Sequence, residues 1–247
     1  MSFADQVRIW NRDRLLARRA RKNEAGGPVS PEPAVAAVES QIEPVLLKPA
    51  DLQITYSGLR GVSDDEHAHL GGNVVEGDPF TFAPSVWDYL INRFGIESVM
   101  DLGSGIGYAS AYFHRAGLKV LAVEGLKSNC EAAIFPTILG DITQAPIICR
   151  VDLVHCQEVV EHIDEKYIDN LLKSLCCGKY VVMTNALPGQ GGHHHVNEQP
   201  TEYWVEKLAA YGCEVLIEDS NRIRQLAAKD GAFYLAKTAL VLANRNR

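Results

Sequence analysis

The sequence predicts an α/β protein in which seven strands form a mostly parallel sheet covered by helices on both faces. From about residue 80 onward, short apolar strands alternate with segments of helical periodicity. Glycines follow several of these segments and mark the turns between them. The 247 residues, 47% of them hydrophobic, are enough for one domain of this class and an extension. Ligands of such sheets bind outside the carboxyl ends of the strands.

The elements follow from the spacing of apolar residues and from the glycines that stop them, namely Gly95, Gly117 and Gly212. The last two strands are joined through a short helix, which suits an antiparallel pair at the edge of the sheet. The predicted strands span 99–102, 119–123, 137–140, 151–157, 179–184, 214–217 and 233–243. The predicted helices span 84–94, 108–116, a short 129–134, a segment that follows the fourth strand and runs through 172, 202–211 and 222–229.

The N-terminal part differs in composition from the rest. Residues 1–24 have helix-forming composition and a net charge of +4, which leaves −11 for residues 25–247. Residues 24–49 are rich in Pro, Gly, Ala and Ser, as in a linker. We therefore expect an extension over 1–50 and the main domain over 51–247. The basic helix is expected to be solvated or to bind a partner, and the acidic remainder argues against a broad nucleic-acid surface.

Targeting signals and cysteine usage favour a cytoplasmic protein. No uncharged apolar stretch is long enough to span a membrane, and arginines occupy the place of a signal peptide's apolar region. None of the six cysteines forms a C-x-x-C pair, so we expect small buried thiols rather than disulfides or a zinc site. They are Cys130, Cys149, Cys156, Cys176, Cys177 and Cys213.

A glycine-rich turn follows the first predicted strand, in the segment Asp101-Leu-Gly-Ser-Gly-Ile-Gly107. Glycines permit positive φ angles and a close approach of the backbone to a ligand. The helix that follows offers N–H groups that suit a carboxylate. A dinucleotide fingerprint would place its third glycine three positions after the second, where this chain has Tyr108. The spacing therefore favours a nucleoside ligand without a pyrophosphate.

Carboxylates end the next two predicted strands. Glu124 is placed to accept hydrogen bonds from both hydroxyls of a ribose. Asp141 is placed to accept from the amino group of an adenine, and Ile142 to cover its ring. Each acid alone could be a turn or capping residue, but three such features at successive strand ends predict one nucleoside site.

With these motifs, residues 80–220 resemble the class I S-adenosylmethionine-dependent methyltransferases. The resemblance rests on Val99–Gly107, Val120–Glu124, Gly140–Ile142 and Val151–Glu158. It implies a Rossmann-like sheet of strand order 3-2-1-4-5-7-6 and S-adenosylmethionine as the cofactor. The segment between Glu124 and Asp141 is shorter than in the family. The cofactor-binding residues that the resemblance implies are Asp101, Gly103, Ser104, Gly105, Gly107, Glu124, Gly125, Asp141, Ile142 and Gln157.

A second group of polar residues follows the fourth and fifth strands. Glu158, Glu161 and His162 would share one face of a helix that starts at Glu158. Gly189–His195 contains three consecutive histidines and should face this helix across the acceptor site. Carboxylates and imidazoles that converge in this way are able to hold Mg²⁺ or Mn²⁺. The candidate catalytic residues are Glu158, Glu161, His162, His193, His194 and His195.

The Glu-x-x-Glu-His segment is similar in part to two groups of O-methyltransferases. These are the small-RNA 3′-terminal 2′-O-methyltransferases, which place such residues on a divalent ion, and the enzymes of the ubiquinone pathway. The resemblance implies Glu158, Glu161, His162 and one of the three later histidines, here His195, as metal ligands. Two alternatives stay open, with His162 as a metal-free general base or as a packed structural residue.

The expected function is methyl transfer from S-adenosylmethionine to a polar acceptor, a hydroxyl of a small molecule or sugar. One alternative is ribose 2′-O-methylation of RNA, with residues 1–24 in contact with phosphates. Another is a cofactor-binding interaction protein without turnover, which docks through its N-terminal helix. His155 in the fourth strand and Trp204 in the helix over 202–211 are expected to be core residues.

Overall fold

A seven-stranded sheet forms the centre of the part of the chain that the structure, a computed structural model, describes: residues 38–45, 58–61 and 68–247. A separate antiparallel pair, β1 and β2, precedes this sheet in the chain. The strands are β1 (Leu59–Arg60), β2 (Asn73–Val74), β3 (Ser98–Leu102), β4 (Lys119–Glu124), β5 (Thr137–Leu139), β6 (Leu153–Cys156), β7 (Tyr180–Met183), β8 (Cys213–Val215) and β9 (Leu240–Asn244).

The strand order of the large sheet is β5-β4-β3-β6-β7-β9-β8. β3 to β7 pair in parallel, whereas β9 is antiparallel to both of its neighbours. Numbered from β3, this is the predicted order 3-2-1-4-5-7-6, and the antiparallel pair β8–β9 lies at the predicted edge. The order reverses between β3 and β6, so a crevice opens at the carboxyl ends of these two strands.

Helices cover both faces of the sheet, as predicted. On one face α2, α3, α7 and α8 pack against the alternate strand residues Val99, Leu153, Val182 and Val241. On the other face α5 and α6 pack against Met100, Val154, Val181 and Leu242. The helices are α1 (Val38–Gln41), α2 (Pro84–Phe94), α3 (Tyr108–Arg115), α4 (Lys127–Ala132), α5 (Ile168–Leu175), α6 (Thr201–Ala210), α7 (Ile217–Asp230) and α8 (Phe233–Thr238).

Two predicted elements differ from the structure. The strand predicted over 233–243 is wrong in its first half, because Phe233–Thr238 is helical and only Leu240–Asn244 is β9. Gly231 ends α7 in the left-handed conformation, and Leu235 and Ala236 are then fully buried in the core beside α7. The helix expected to start at Glu158 starts only at Ile168: Glu158 has φ +55°, and two 3₁₀ turns, Val160–His162 and Glu165–Tyr167, come before α5.

The predicted linker contains one ordered piece in its described part. Residues 38–45 include α1, and Ile42 is buried in the core. Asn221 of α7 accepts from the Glu43 N–H at 2.8 Å and donates to the Gln41 carbonyl at 3.1 Å. The predicted basic helix over 1–24 lies outside the described residues. Within the described ranges, no helix has both the length and the apolar character needed to cross a membrane.

Candidate active site

A cleft of about 370 Å³ opens at the carboxyl ends of β3, β4 and β6. Its wall includes the glycine turn after β3, the carboxylates that follow β4 and β5, and residues 157–159 after β6. The loop that joins β7 to α6 adds Gln190–His193 and His195. The glycine turn and four residues of the second predicted group, Glu158, His162, His193 and His195, therefore line one continuous cavity. Glu161 is fully buried and does not line it.

The glycine turn needs glycine for two different reasons. Gly103, Gly105 and Gly107 have φ angles of +75°, +56° and +89°. A Cβ at Gly103 would lie 2.3 Å from Cγ2 of Val159, so packing excludes a side chain there. A Cβ at Gly105 would meet only Oδ1 of Asn73, at 3.8 Å, so the backbone at Gly105 faces open space in the cleft.

Glu124 fixes the shape of the glycine turn. Its Oε2 accepts from the Gly105 N–H and its Oε1 from the Leu126 N–H, both at 2.8 Å. Burial raises the pKa of this carboxyl, while the backbone hydrogen bonds act in the opposite direction. Each carboxylate oxygen keeps capacity for a further donor on the cleft side.

Asp141 is held by two neighbours in the structure. Its Oδ1 accepts from the N–H and the hydroxyl of Thr143, both at 2.8 Å, and both of its oxygens lie 3.2 Å from Nε2 of His69. Burial raises the pKa of Asp141, but the hydrogen bonds from His69 and Thr143 prevail and lower it to about 2. Ile142 is buried and lines the cleft beside it. The expected adenine acceptor is therefore already paired.

Asp101 lies beneath the turn in a buried network. Its Oδ2 accepts from the Ser110 hydroxyl at 2.6 Å, and its Oδ1 lies 2.8 Å from Nδ1 of His155. Trp87 Nε1–H donates to Nε2 of His155 at 3.3 Å. Both ring nitrogens of His155 are thus engaged, which confirms the prediction of a satisfied core histidine. Trp204, also predicted as core, is fully buried.

Glu158 follows β6 in a strained left-handed conformation. Its N–H donates to the Thr184 hydroxyl at 2.8 Å, and that hydroxyl donates to Oε1 of Glu158 at 2.7 Å. Burial raises the pKa of Glu158 to about 7. Thr184 therefore holds this carboxylate at the end of β7, where it interacts with the carboxyl group of Glu161 but does not belong to the group of converging ligand atoms.

Glu161, His162 and His195 come together, with one possible ligand atom from each within 4.8 Å of the others. Both carboxylate oxygens of Glu161 and Nδ1 of His162 are buried without a hydrogen-bond partner in the described part of the chain. Burial and then the charge of Glu158 raise the pKa of Glu161 well above its usual value. Burial and then His195 lower the pKa of His162 to about 3, so its imidazole is neutral at pH 7.

The loops after β6 and β7 face each other, as predicted. The Val196 and Asn197 N–H groups both donate to the Glu161 carbonyl at 3.0 Å, and the rings of His162 and His195 lie 5.0 Å apart. Nδ1 of His195 lies 3.2 Å from Oε1 of Glu198. Of the two other histidines, His193 lines the cleft, whereas the side chain of His194 is not among the lining residues.

Several residues of the cleft were not predicted from sequence. His69 contacts Asp141, and Leu70 and Asn73 line the cleft beside it. On α8, Tyr234 lines the cleft and donates to Oδ2 of Asp78 at 3.2 Å. Tyr234 would have been found only if 233–238 had been predicted as a helix that borders the cleft. No periodic signal in the sequence reveals His69.

The chain was compared with protein families, with curated proteins and with solved structures, and only the solved structures gave matches. Among solved structures it is similar to the [4+2]-cyclase SpnF, at 12% identity and a TM-score of 0.46 over 65% of this chain and 81% of that one. It is also similar to the methyltransferase domain of bacterial CtHen1-C, at 18% identity and a TM-score of 0.46 over 64% of this chain and 94% of that one. A third is a putative methyltransferase from an antibiotic biosynthesis pathway of Anabaena variabilis, at 13% identity and a TM-score of 0.46 over 67% and 98%.

The strand order, the direction of each strand and the position of the glycine turn after β3 agree with the arrangement that the motifs implied. A fold of this kind can carry more than one chemistry, so activity must be argued from the cleft. The chain has the class I methyltransferase fold.

Proposed function

We propose that this chain is an S-adenosylmethionine-dependent methyltransferase that acts on a hydroxyl of a small molecule or sugar. The observation that carries the proposal is the continuous cleft, with the glycine turn at one end and His162 and His195 at the other. Glu161 is buried beside these two histidines. A methyl donor held at the first end would face an acceptor held at the second. The net charge of −11 over residues 25–247 favours such an acceptor over a long nucleic acid.

The residues around the glycine turn fit the cofactor. Open space in front of Gly105 admits a ligand against the backbone. Ser104 Oγ and Gln157 Nε2 are buried at the cleft without partners among the described residues, and buried polar groups of this kind normally have one. Glu124 presents a buried carboxylate for ribose hydroxyls. When bound, S-adenosylmethionine supplies an electrophilic methyl group.

The other end of the cleft fits an acceptor hydroxyl. Transfer needs the hydroxyl in line with the methyl group and a means of removing its proton. The neutral imidazole of His162 and the carboxylate of Glu158 provide proton acceptors at the wall of the cleft. These groups orient the acceptor and exclude water from the place where the methyl group would move.

A divalent cation fits the same residues. Glu161 has two buried oxygens without a donor, next to the neutral His162 and to His195. An uncompensated carboxylate at such a position is costly unless it is protonated or binds a cation. Glu161, His162 and His195 would hold the ion, which would act as a Lewis acid toward the acceptor hydroxyl. A donor set of two imidazoles and one carboxylate suits Mn²⁺ better than Mg²⁺.

Calorimetric titration with S-adenosylhomocysteine tests the cofactor assignment. Gly105→Arg fills the open space in front of the turn and should abolish binding while the protein stays folded. Gly117→Arg is the matched control, because Gly117 also has a positive φ with open space around it but does not line the cleft. We expect the control to bind like the wild type.

Two outcomes would refute the proposal. One is equal affinity of the wild type and Gly105→Arg for S-adenosylhomocysteine, which would place the ligand elsewhere. The other is the absence of S-adenosylhomocysteine formation across panels of hydroxylated small molecules and sugars with a protein that binds the cofactor. Such a protein would fit the alternative of an interaction protein without turnover.

A further inference from the structure

Residues 68–73, here called the strap, run into the first residue of β2, and residues 69–73 line the cleft. His69 is the first contact: its Nε2 lies 3.2 Å from both oxygens of Asp141. The pair is buried, with side-chain exposures of 9% for His69 and 16% for Asp141. The imidazole therefore takes the position from which an adenine amino group would donate to this carboxylate.

Leu70 makes the second contact, on the neighbouring strand end. A Cβ at Gly125 would lie 2.5 Å from Cδ2 of Leu70, so the leucine side chain packs directly on the backbone after Glu124. Ile142 is expected to cover the adenine ring, and Gly125 is an expected cofactor-binding residue that lines the cleft beside it. The leucine thus covers the apolar surface that the ring would use.

The remaining strap contacts reach the acceptor end of the cleft. A Cβ at Gly71 would lie 2.4 Å from Nε2 of His193, and one at Gly72 would lie 3.0 Å from Cβ of His193. Asn73 is the residue nearest to the open side of Gly105. One short segment therefore touches the adenine, glycine-turn and histidine parts of the cleft together.

We propose that the strap occupies the adenine part of the cleft in the free protein and is displaced when S-adenosylmethionine binds. The inference rests on the proposed function, because it takes the adenine position from the expected roles of Asp141 and Ile142. Displacement would break the contacts with Asp141 and Gly125 and would release the packing of the strap on His193. Cofactor binding would thereby change the acceptor end of the cleft before an acceptor arrives.

Removing the two occupying side chains should strengthen cofactor binding. The probe is S-adenosylhomocysteine, titrated calorimetrically into the wild type and into His69→Ala/Leu70→Ala. We expect the double variant to bind about fivefold more tightly, because the competition from the strap is lost. His114→Ala/Ile148→Ala removes the same kind of groups at exposed positions outside the cleft and should leave the affinity unchanged.

Hydrogen exchange of the unaltered protein gives an independent measurement. Peptides that cover residues 68–73 should take up deuterium faster in saturating S-adenosylhomocysteine, because the strap loses its contacts. Slower uptake would mean that the segment closes over the ligand, and unchanged uptake that it does not move. Either result would overturn the inference.

The two proposals fail in different ways. Binding by the wild type with an equal or lower affinity in the double variant overturns the strap inference and leaves the cofactor assignment intact. If neither the wild type nor either double variant binds S-adenosylhomocysteine at any concentration tested, the cofactor assignment is overturned and the strap inference with it. Binding by the strap variant alone supports both.

Discussion

Nδ1 of His155 lies 2.8 Å from Oδ1 of Asp101, and both side chains are almost completely buried. The indole N–H of Trp87 can only donate, so Nε2 of His155 must accept from it. Nδ1 therefore carries the proton and donates to Asp101. The indole thus fixes the tautomer of the histidine and, through it, the carboxylate beneath the glycine turn.

This relationship predicts different costs for two substitutions of Asp101. Asp101→Ala leaves the His155 N–H buried without an acceptor and should lower the free energy of unfolding by about 2–3 kcal/mol. Asp101→Asn keeps an acceptor for His155, and the Ser110 hydroxyl can reverse its role and accept from the amide, so we expect a loss of about 1 kcal/mol or less. Urea denaturation measures both, and equal losses would contradict the assigned tautomer.

Glu124→Gln should damage the glycine turn although it preserves size. The two carboxylate oxygens accept from the Gly105 and Leu126 N–H groups, and a glutamine has only one acceptor oxygen for these two donors. We expect a loss of about 1–3 kcal/mol in stability and an affinity for S-adenosylhomocysteine lower by about tenfold. Glu131→Gln, at an exposed position of α4, is the control and should change neither quantity.

Metal binding can be tested without activity. After chelation, the wild type should bind one equivalent of Mn²⁺ in a calorimetric titration, and His195→Ala should lose most of this affinity because one of the three converging side chains is gone. His194→Ala is the matched control, since His194 belongs neither to this group nor to the cleft wall. Absence of Mn²⁺ binding by the wild type, or equal binding by both variants, would leave His162 as a metal-free base or a structural residue.

We expect the stability of the protein to depend on pH through Asp152, which does not line the cleft. Its Oδ2 accepts from the Glu97 and Ser98 N–H groups at 3.0 and 3.1 Å, and its Oδ1 pairs with Lys179 at 2.6 Å. Burial raises the pKa of Asp152, but the hydrogen bonds from Lys179 and Glu97 prevail, and the net pKa is lowered. In the unfolded chain the pKa of such a carboxyl group is about 3.9, and in the folded protein it is lower. The carboxylate therefore stabilises the fold fully above the unfolded pKa, and this stabilisation is lost as the pH falls through the folded pKa.

Asp152→Ala should therefore lower the free energy of unfolding by about 1–3 kcal/mol at pH 7. The difference from the wild type should shrink below about pH 4, where the carboxylate becomes protonated in the unfolded chain, and should be smallest once the pH has also fallen below the folded pKa. Urea denaturation from pH 7 to pH 3 gives both values. A difference that stays constant over this range would contradict the role assigned to the carboxylate.

The strands and the glycine turn could be predicted because their signals are local. Val99–Leu102 is a short apolar run with glycines directly after it, and the structure places β3 there. α8 could not be predicted in this way, since Phe233–Thr238 has residues that suit either a strand or a helix. Burial of Leu235 and Ala236 beside α7 decides for the helix, and this is a tertiary effect.

In the cleft, too, features that depend on tertiary contacts could not be predicted from local sequence signals. The converging group of Glu161, His162 and His195 could be anticipated because strand ends meet at one edge of the sheet. The left-handed backbone of Glu158 could not, because the conformation of one residue after a strand leaves no periodic trace. His69 reaches Asp141 across 72 positions of the chain, and no spacing rule covers such a contact.

The position of β9 has a consequence for biosynthesis. It is the last of the described strands in chain order, yet it lies between β7 and β8 and pairs with both. Until residues 240–244 have left the ribosome, β7 and β8 each present an open edge to other polypeptides. A chain that ends before residue 240 would therefore keep β7 and β8 with unpaired edges. Such a product would be prone to aggregation and would have to be held by chaperones or degraded by proteases.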